Sequence, residues 1–147
     1  MPFDTAKLTA QLARHEGLRL KPYRDTTGHL TIGYGRNLDD VGITEYEAMV
    51  MLKGDQTRTM LALDTALPWW QTLDDVRSRV LIDMAFNMGI GTLLTFVGVL
   101  GRLRSCDWEG AAQHMEDSLW ARQVGQRAKT LARMMRTGED PHDEAHR

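Results

Sequence analysis

His15-Glu16-Gly17-Leu18-Arg19-Leu20-Lys21-Pro22-Tyr23-Arg24-Asp25-Thr26-Thr27-Gly28-His29-Leu30-Thr31-Ile32-Gly33-Tyr34-Gly35-Arg36 decides the reading of this chain. Glu16 ends a helical pattern that starts behind Asp4, an N-cap residue, and runs through Leu8 and Leu12 to Gly17. Tyr23-Arg24-Asp25 and His29 to Tyr34 alternate like the arms of a β-hairpin, and Gly28 supplies its turn. Asp25 therefore stands at the hairpin rim and Thr31 on the returning strand. Two carboxyl groups and a hydroxyl carried on different elements can converge on one cleft. Acid/base cleavage of a glycosidic bond needs such a set: a proton donor facing the leaving oxygen and a second carboxylate facing the attacking water. Each residue also has a plainer reading. Glu16 can be a surface residue at a helix end, Asp25 a turn residue bonded to the backbone of Thr27, and Thr31 a strand former.

Thr44 and Glu47 form a capping box that opens a helix of about 22 residues, ending before Pro68. Such a helix is roughly 33 Å long and can join two lobes. Thr72 is the expected cap of the next helix, on which Val76, Val80, Leu81, Met84 and Met88 recur at helical spacing up to Gly89. One helix is predicted over Thr92–Leu103, a short one behind Asp107, and a last one from Gln126 to Thr137, closed by Gly138. The polar residues 139–147 are expected to carry no fixed structure. Domain limits follow: an N-lobe over about 13–45, a connecting helix over 45–67, a helical C-lobe over 68–138 packed with the N-terminal helix, and a tail over 139–147.

The length of 147 residues fits one domain, and 42% apolar with 26% charged residues is an ordinary globular composition. A net charge of −2 gives no general attraction to nucleic acid. Locally, Arg122, Arg127, Lys129, Arg133 and Arg136 form a run without acids, which reads as a solvated face or as a surface for an anionic polymer. The single cysteine, Cys106, excludes an internal disulfide and suits a reducing compartment. No stretch has the form of a signal peptide or a membrane span. Trp69-Trp70 reads as core at a helix junction or as a sugar-stacking pair. His142-Asp143-Glu144-Ala145-His146 departs from the H-E-x-x-H zinc pattern, so no metal is expected.

Glu16-Gly17-Leu18-Arg19-Leu20, Tyr23, Asp25-Thr26, Gly28 and Thr31-Ile32-Gly33-x-Gly35 together resemble the N-lobe signature of the phage-type lysozymes, the muramidases and endolysins of bacteriophages. Asp75-x-Arg77-Ser78-x-Val80 and Asn87-Met88-Gly89 are similar to that family's central helix. Trp108-x2-Ala111-Ala112, Ser118-x-Trp120 and Gln126-Arg127-Ala128 are similar to its C-terminal helices. The resemblance covers the chain to about Gly138. Between Leu38 and Ile43 the chain is shorter than larger relatives, which implies a lower cleft wall; Arg36 stands where relatives often have His.

The resemblance implies a mostly helical α+β, lysozyme-like fold of two lobes with one small N-terminal hairpin. It implies cofactor-free hydrolysis of the β-1,4 bond between N-acetylmuramic acid and N-acetylglucosamine, with inversion, by Glu16 as acid and Asp25 as base, with Thr31 holding the water. Phe86 and His114 fall at positions resembling cleft-lining ones, and Arg127 at one where the family tethers the catalytic Glu. The expected partner is peptidoglycan, with a holin-type pore releasing a monomer from the host cytoplasm to the cell wall; neither nucleic acid nor membrane is expected. A lytic transglycosylase on the same scaffold, a non-catalytic wall-binding or virion structural domain, and a helical nucleic-acid binder are the competing readings.

Overall fold

The computed structural model describes residues 2–141. It divides into two units with the boundary between Met51 and Leu52.

The first unit begins with helix α1 (Thr5–Glu16), whose first turn is capped by Asp4 accepting from the Lys7 amide at 3.0 Å. At Gly17 the backbone takes φ +72°, a conformation that costs glycine little, and the helix stops there. Strands β1 (Arg19–Arg24), β2 (Leu30–Gly33) and β3 (Arg36–Asn37) form one antiparallel sheet in the order β1-β2-β3. Tyr23 lies opposite Thr31, and Thr31 opposite Asn37, so Thr31 occupies the middle of the sheet. The sequence pattern predicts only the hairpin. A two-residue strand is too short to show alternation, and β3 exists because Gly35, at φ +77°, turns the chain back along β2. Among the described residues of this unit Thr31 alone is buried.

Helix α2 (Glu45–Ala66) opens on the predicted capping box: the Thr44 amide donates to Glu47 Oε1 at 2.9 Å, and the Glu47 amide to Thr44 Oγ1 at 3.1 Å. Arg36 of β3 grips the same Glu47 with two parallel bonds of 2.8 and 2.7 Å and donates to the Gly42 carbonyl. This fork ties the sheet to the first turn of α2.

The second unit holds the apolar core. A 3-10 turn (Pro68–Thr72) leads to α3 (Asp75–Met88), α4 (Ile90–Leu93), α5 (Val97–Arg104), α6 (Trp108–Glu116), α7 (Leu119–Val124) and α8 (Gln126–Thr137). Helix α6 packs on α5 and α8, and Leu81, Met84, Leu103, Met115 and Met135 are wholly or almost wholly inaccessible. Trp70 is core, with its indole N–H donating to Asp64, and Trp69 packs beside it.

Three local expectations are corrected. Asp74, not Thr72, caps α3 by accepting from the Arg77 amide, because the Thr72 hydroxyl is turned back to the Trp69 carbonyl. The helix expected over Thr92–Leu103 is broken into α4 and α5: the Thr95 hydroxyl and amide both bond to the Thr92 carbonyl, a local alternative to helical continuation. Helix α7, capped by Ser118, has only six residues and too little periodicity to be recognised in the sequence.

The basic run meets acids from other helices. Arg127 pairs with Asp83, and Arg136 with both Glu109 and Glu116. The end of α8 is anchored to α3: Arg77 donates to the Met135 and Arg136 carbonyls, and Gly138, in the left-handed region at φ +70°, leaves room for that guanidinium. Beyond it Arg79 holds Asp140 with bonds of 2.9 and 2.8 Å, so this part of the tail is fixed; the His142–His146 stretch lies outside the described residues. Among the described residues no helix is long and apolar enough to cross a membrane.

The Arg36–Glu47 fork makes acid stability testable. Hydrogen bonds from Arg36, then those from Thr44, hold the Glu47 carboxyl at about 2, against 4.5 ordinarily. A carboxyl with a lowered folded value stabilises fully above its unfolded value and loses that contribution as pH falls through the folded one. Thermal melts of Glu47→Gln should therefore show a lower Tm at pH 7 and a shallower decline between about pH 4.5 and 2 than the parent chain. Parallel curves would mean that the fork adds nothing to stability.

Candidate active site

Asp25 sits at the head of the β1–β2 turn, and its two carboxylate oxygens are treated differently. Oδ1 accepts from the Thr27 amide at 2.9 Å, the Thr27 hydroxyl at 2.8 Å and the His29 amide at 2.9 Å. Oδ2 accepts no hydrogen bond among the described residues. The Asp25 amide donates to the His29 carbonyl and the Gly28 amide to the Asp25 carbonyl, so the turn closes around the side chain it fixes. The Thr27 hydroxyl and then the His29 amide hold the Asp25 carboxyl below its usual range, outweighing the opposing effect of burial, with lesser help from the Thr27 amide and the His29 ring. It is an ionised acceptor at neutral pH, fixed in rotation, with one oxygen open.

Thr31 follows directly on the returning strand. Its hydroxyl donates to the His29 carbonyl at 2.9 Å, which commits the proton and leaves the oxygen's lone pairs to accept. Only 3% of Thr31 is accessible. Thr31, His29 and Asp25 are thus joined through one turn, which the sequence spacing anticipated for Asp25 and Thr31.

Glu16 is the last residue of α1, and its carboxyl lies against Gly35, in the turn between β2 and β3. A Cβ placed on Gly35 would stand 3.0 Å from Glu16 Cδ and overlap Oε2. Gly35 is required twice, by its positive φ and by the carboxyl packed on it. The sequence alone does not show which side chain fills the space that Gly35 leaves.

The remaining candidates lie in the second unit. Phe86, on α3, is 39% exposed and lines two hollows, one bounded by Asp83 and Arg127, the other by Asp55 and Arg58. His114, on α6, lines a cavity of about 620 Å³ between α3, α5 and α7 and packs so closely on Gly98 that a Cβ there would stand 2.6 Å from Nδ1. Arg127 donates to Asp83 at 2.9 and 2.6 Å. No three His, Cys, Asp or Glu side chains among the described residues are grouped to hold a metal. Thr27 and His29, which complete the surroundings of Asp25, were not singled out by the sequence pattern; a Thr and a His flanking a turn glycine carry no chemical signature of their own.

Gly35→Ala and Gly33→Ala separate strain from collision, since both glycines have positive φ but no atom lies within 4 Å of a Cβ at Gly33. Each is expected to lose about 1 kcal/mol or more in chemical denaturation. Gly35→Ala should in addition displace Glu16 and cost more of any turnover that depends on it. Equal activities at equal stability would remove Gly35 from the site.

The phage lysozyme family model matches residues 13–138, which takes in Glu16, Asp25, Thr31 and both units. The pre-baseplate central spike protein Gp5 of Enterobacteria phage T4 is 31% identical over an alignment covering 89% of this chain, which spans 28% of that longer protein. Probable T4-type lysozyme 1 of Dictyostelium discoideum is 28% identical, with 84% of this chain and 89% of that protein covered. An endolysin of Acyrthosiphon pisum secondary endosymbiont phage 1 is 34% identical over 69% of each chain. The mostly helical α+β fold, the small antiparallel sheet and these matches agree, and the chain belongs to the phage lysozyme family.

Proposed function

We propose that this chain hydrolyses the β-1,4 bond between N-acetylmuramic acid and N-acetylglucosamine in bacterial peptidoglycan, by a single displacement with inversion, and that it lyses bacterial hosts as an endolysin released through a holin-type pore. The observation that carries this reading is the divided Asp25 carboxylate: three donors fix Oδ1 and leave Oδ2 open. A base that orients water must be ionised, must not rotate, and must keep one acceptor free. A water placed there gives one proton toward Asp25 Oδ2 and the other toward the lone pairs of Thr31 Oγ1. Its own lone pair then faces the anomeric carbon.

Glu16 supplies the second half. The water oxygen bonds to the anomeric carbon as the glycosidic bond breaks; Glu16 gives its proton to the departing oxygen, and Asp25 takes one from the water. Inverting enzymes hold their carboxyls roughly 6.5–9.5 Å apart to admit that water. Phe86 and His114 serve as contacts for substrate, and Arg127, through Asp83, as structural support.

The likeness to a spike protein favours a second reading, a wall-binding or virion structural domain that does not cleave. Mass spectrometry of products from purified peptidoglycan distinguishes them. Ordinary reducing ends are expected, with turnover reduced by about 10²–10⁴-fold in Glu16→Gln and slowed in Thr31→Ala. Anhydro ends would replace hydrolysis by transglycosylation, and no cleavage by a folded parent chain would favour the structural reading.

A further inference from the structure

We infer that His29, acting through the Thr27 hydroxyl, is a positioning residue that locks the Asp25 carboxylate while its imidazole is protonated and loosens it on deprotonation. The inference rests on the reading of Asp25 as the base. Its ground is a proton count. Thr27 Oγ1 lies 2.8 Å from Asp25 Oδ1 and 2.6 Å from His29 Nδ1. A hydroxyl has one proton, and an ionised carboxylate only accepts. While the hydroxyl donates to Asp25, the short contact to Nδ1 is a hydrogen bond only if Nδ1 carries a hydrogen and donates to Oγ1.

The other ring nitrogen settles which form of the imidazole fits. Nε2 lies 3.4 Å from Asp40 Oδ2, so a bare Nε2 lone pair would face a carboxylate. The imidazolium suits both ends, with Nε2 paired in charge with Asp40 and Nδ1 donating through Thr27 to Asp25. The charges around the ring agree. Asp25 Oδ1 is 3.8 Å from Nδ1, and Asp40 faces Nε2. The cation beside them, Arg24, donates to the Gly28 carbonyl and pairs with Asp39 at 3.6 Å, while Asp39 accepts from the Leu30 amide. Two acids thus face the imidazole directly, and the neighbouring Arg is engaged by a third.

Deprotonation reverses the chain. With its remaining proton on Nε2 toward Asp40, His29 presents the Nδ1 lone pair to Thr27. The hydroxyl proton can then turn to Nδ1, and Asp25 Oδ1 keeps only its two backbone donors. The carboxylate gains rotational freedom, and the fixed direction of Oδ2 is lost.

The test uses carboxyl-labelled Asp25 and ring-labelled His29, observed by NMR across pH, with steady-state kinetics on peptidoglycan alongside. In the parent chain the Asp25 resonance should show a second step at the pH where the His29 ring titrates. Thr27→Val should abolish that step while His29 still titrates, and should lower kcat roughly tenfold, as for loss of a hydrogen bond to a charged group, with little change in KM. Thr27→Ser, which restores the hydroxyl, should recover both, and His29→Gln should remove the step in pH. An Asp25 resonance blind to His29 in the parent chain, or a step that persists in Thr27→Val, overturns the inference. The NMR readout needs no turnover, so a chain that cleaves nothing but keeps the Thr27-dependent step sinks the hydrolase reading and leaves the coupling standing.

Discussion

One atom, Asp25 Oδ1, gathers three hydrogens onto itself, and the arrangement of the sheet-bearing unit follows from that gathering. The two amides it accepts from belong to Thr27 and His29, so the carboxylate closes the β1–β2 turn from within. That closure sets the start of β2, and the start of β2 sets Thr31 opposite Tyr23 and Asn37. The group expected to do chemistry is also the group that shapes its own loop. Removing it would cost geometry as well as the reactivity proposed for it, so activity lost in an Asp25 variant has to be interpreted beside a measure of turn structure.

The two units are stabilised by different physics. The second buries Leu, Met and Ala side chains between the end of α2 and helices α3 to α8, and burial of apolar area is the dominant favourable term there. The first has no comparable core. Its elements are joined by directional contacts: a helix cap at Asp4, a sheet ladder, the Thr44–Glu47 box and the Arg36 fork. A polar framework fixes directions well, because hydrogen bonds weaken steeply with misalignment whereas apolar contacts do not. Such a framework suits the role proposed for this unit, in which two carboxyls and a hydroxyl are held at set bearings.

Features carried by short-range chemistry were legible in the sequence. Asp4, Asp107 and the Thr44–Glu47 box cap their helices, and Gly138 ends α8, because a cap needs only neighbours three or four residues away. The positions of Glu16 at the end of α1, Asp25 at the hairpin turn and Thr31 on the returning strand were legible too. What escaped was decided by competition or by distance along the chain. Thr72 spends its hydroxyl on a local carbonyl instead of capping α3, and Thr95 does so instead of continuing a helix. The third strand depends on a glycine turn rather than on a pattern of its own. The partner of Arg127, Asp83, lies 44 positions away, and the sharing of one hydroxyl between Asp25 and His29 depends on rotamers that no spacing encodes.

The anchoring of the last helix has a topological consequence. Arg77 takes up the terminal carbonyls of α8, Gly138 turns the chain in the left-handed conformation, and Arg79 draws Asp140 back onto the flank of α3. The path therefore does not leave along the axis of α8. A rigid helical extension of α8 would have to break the Arg77 and Arg79 contacts before it could run straight.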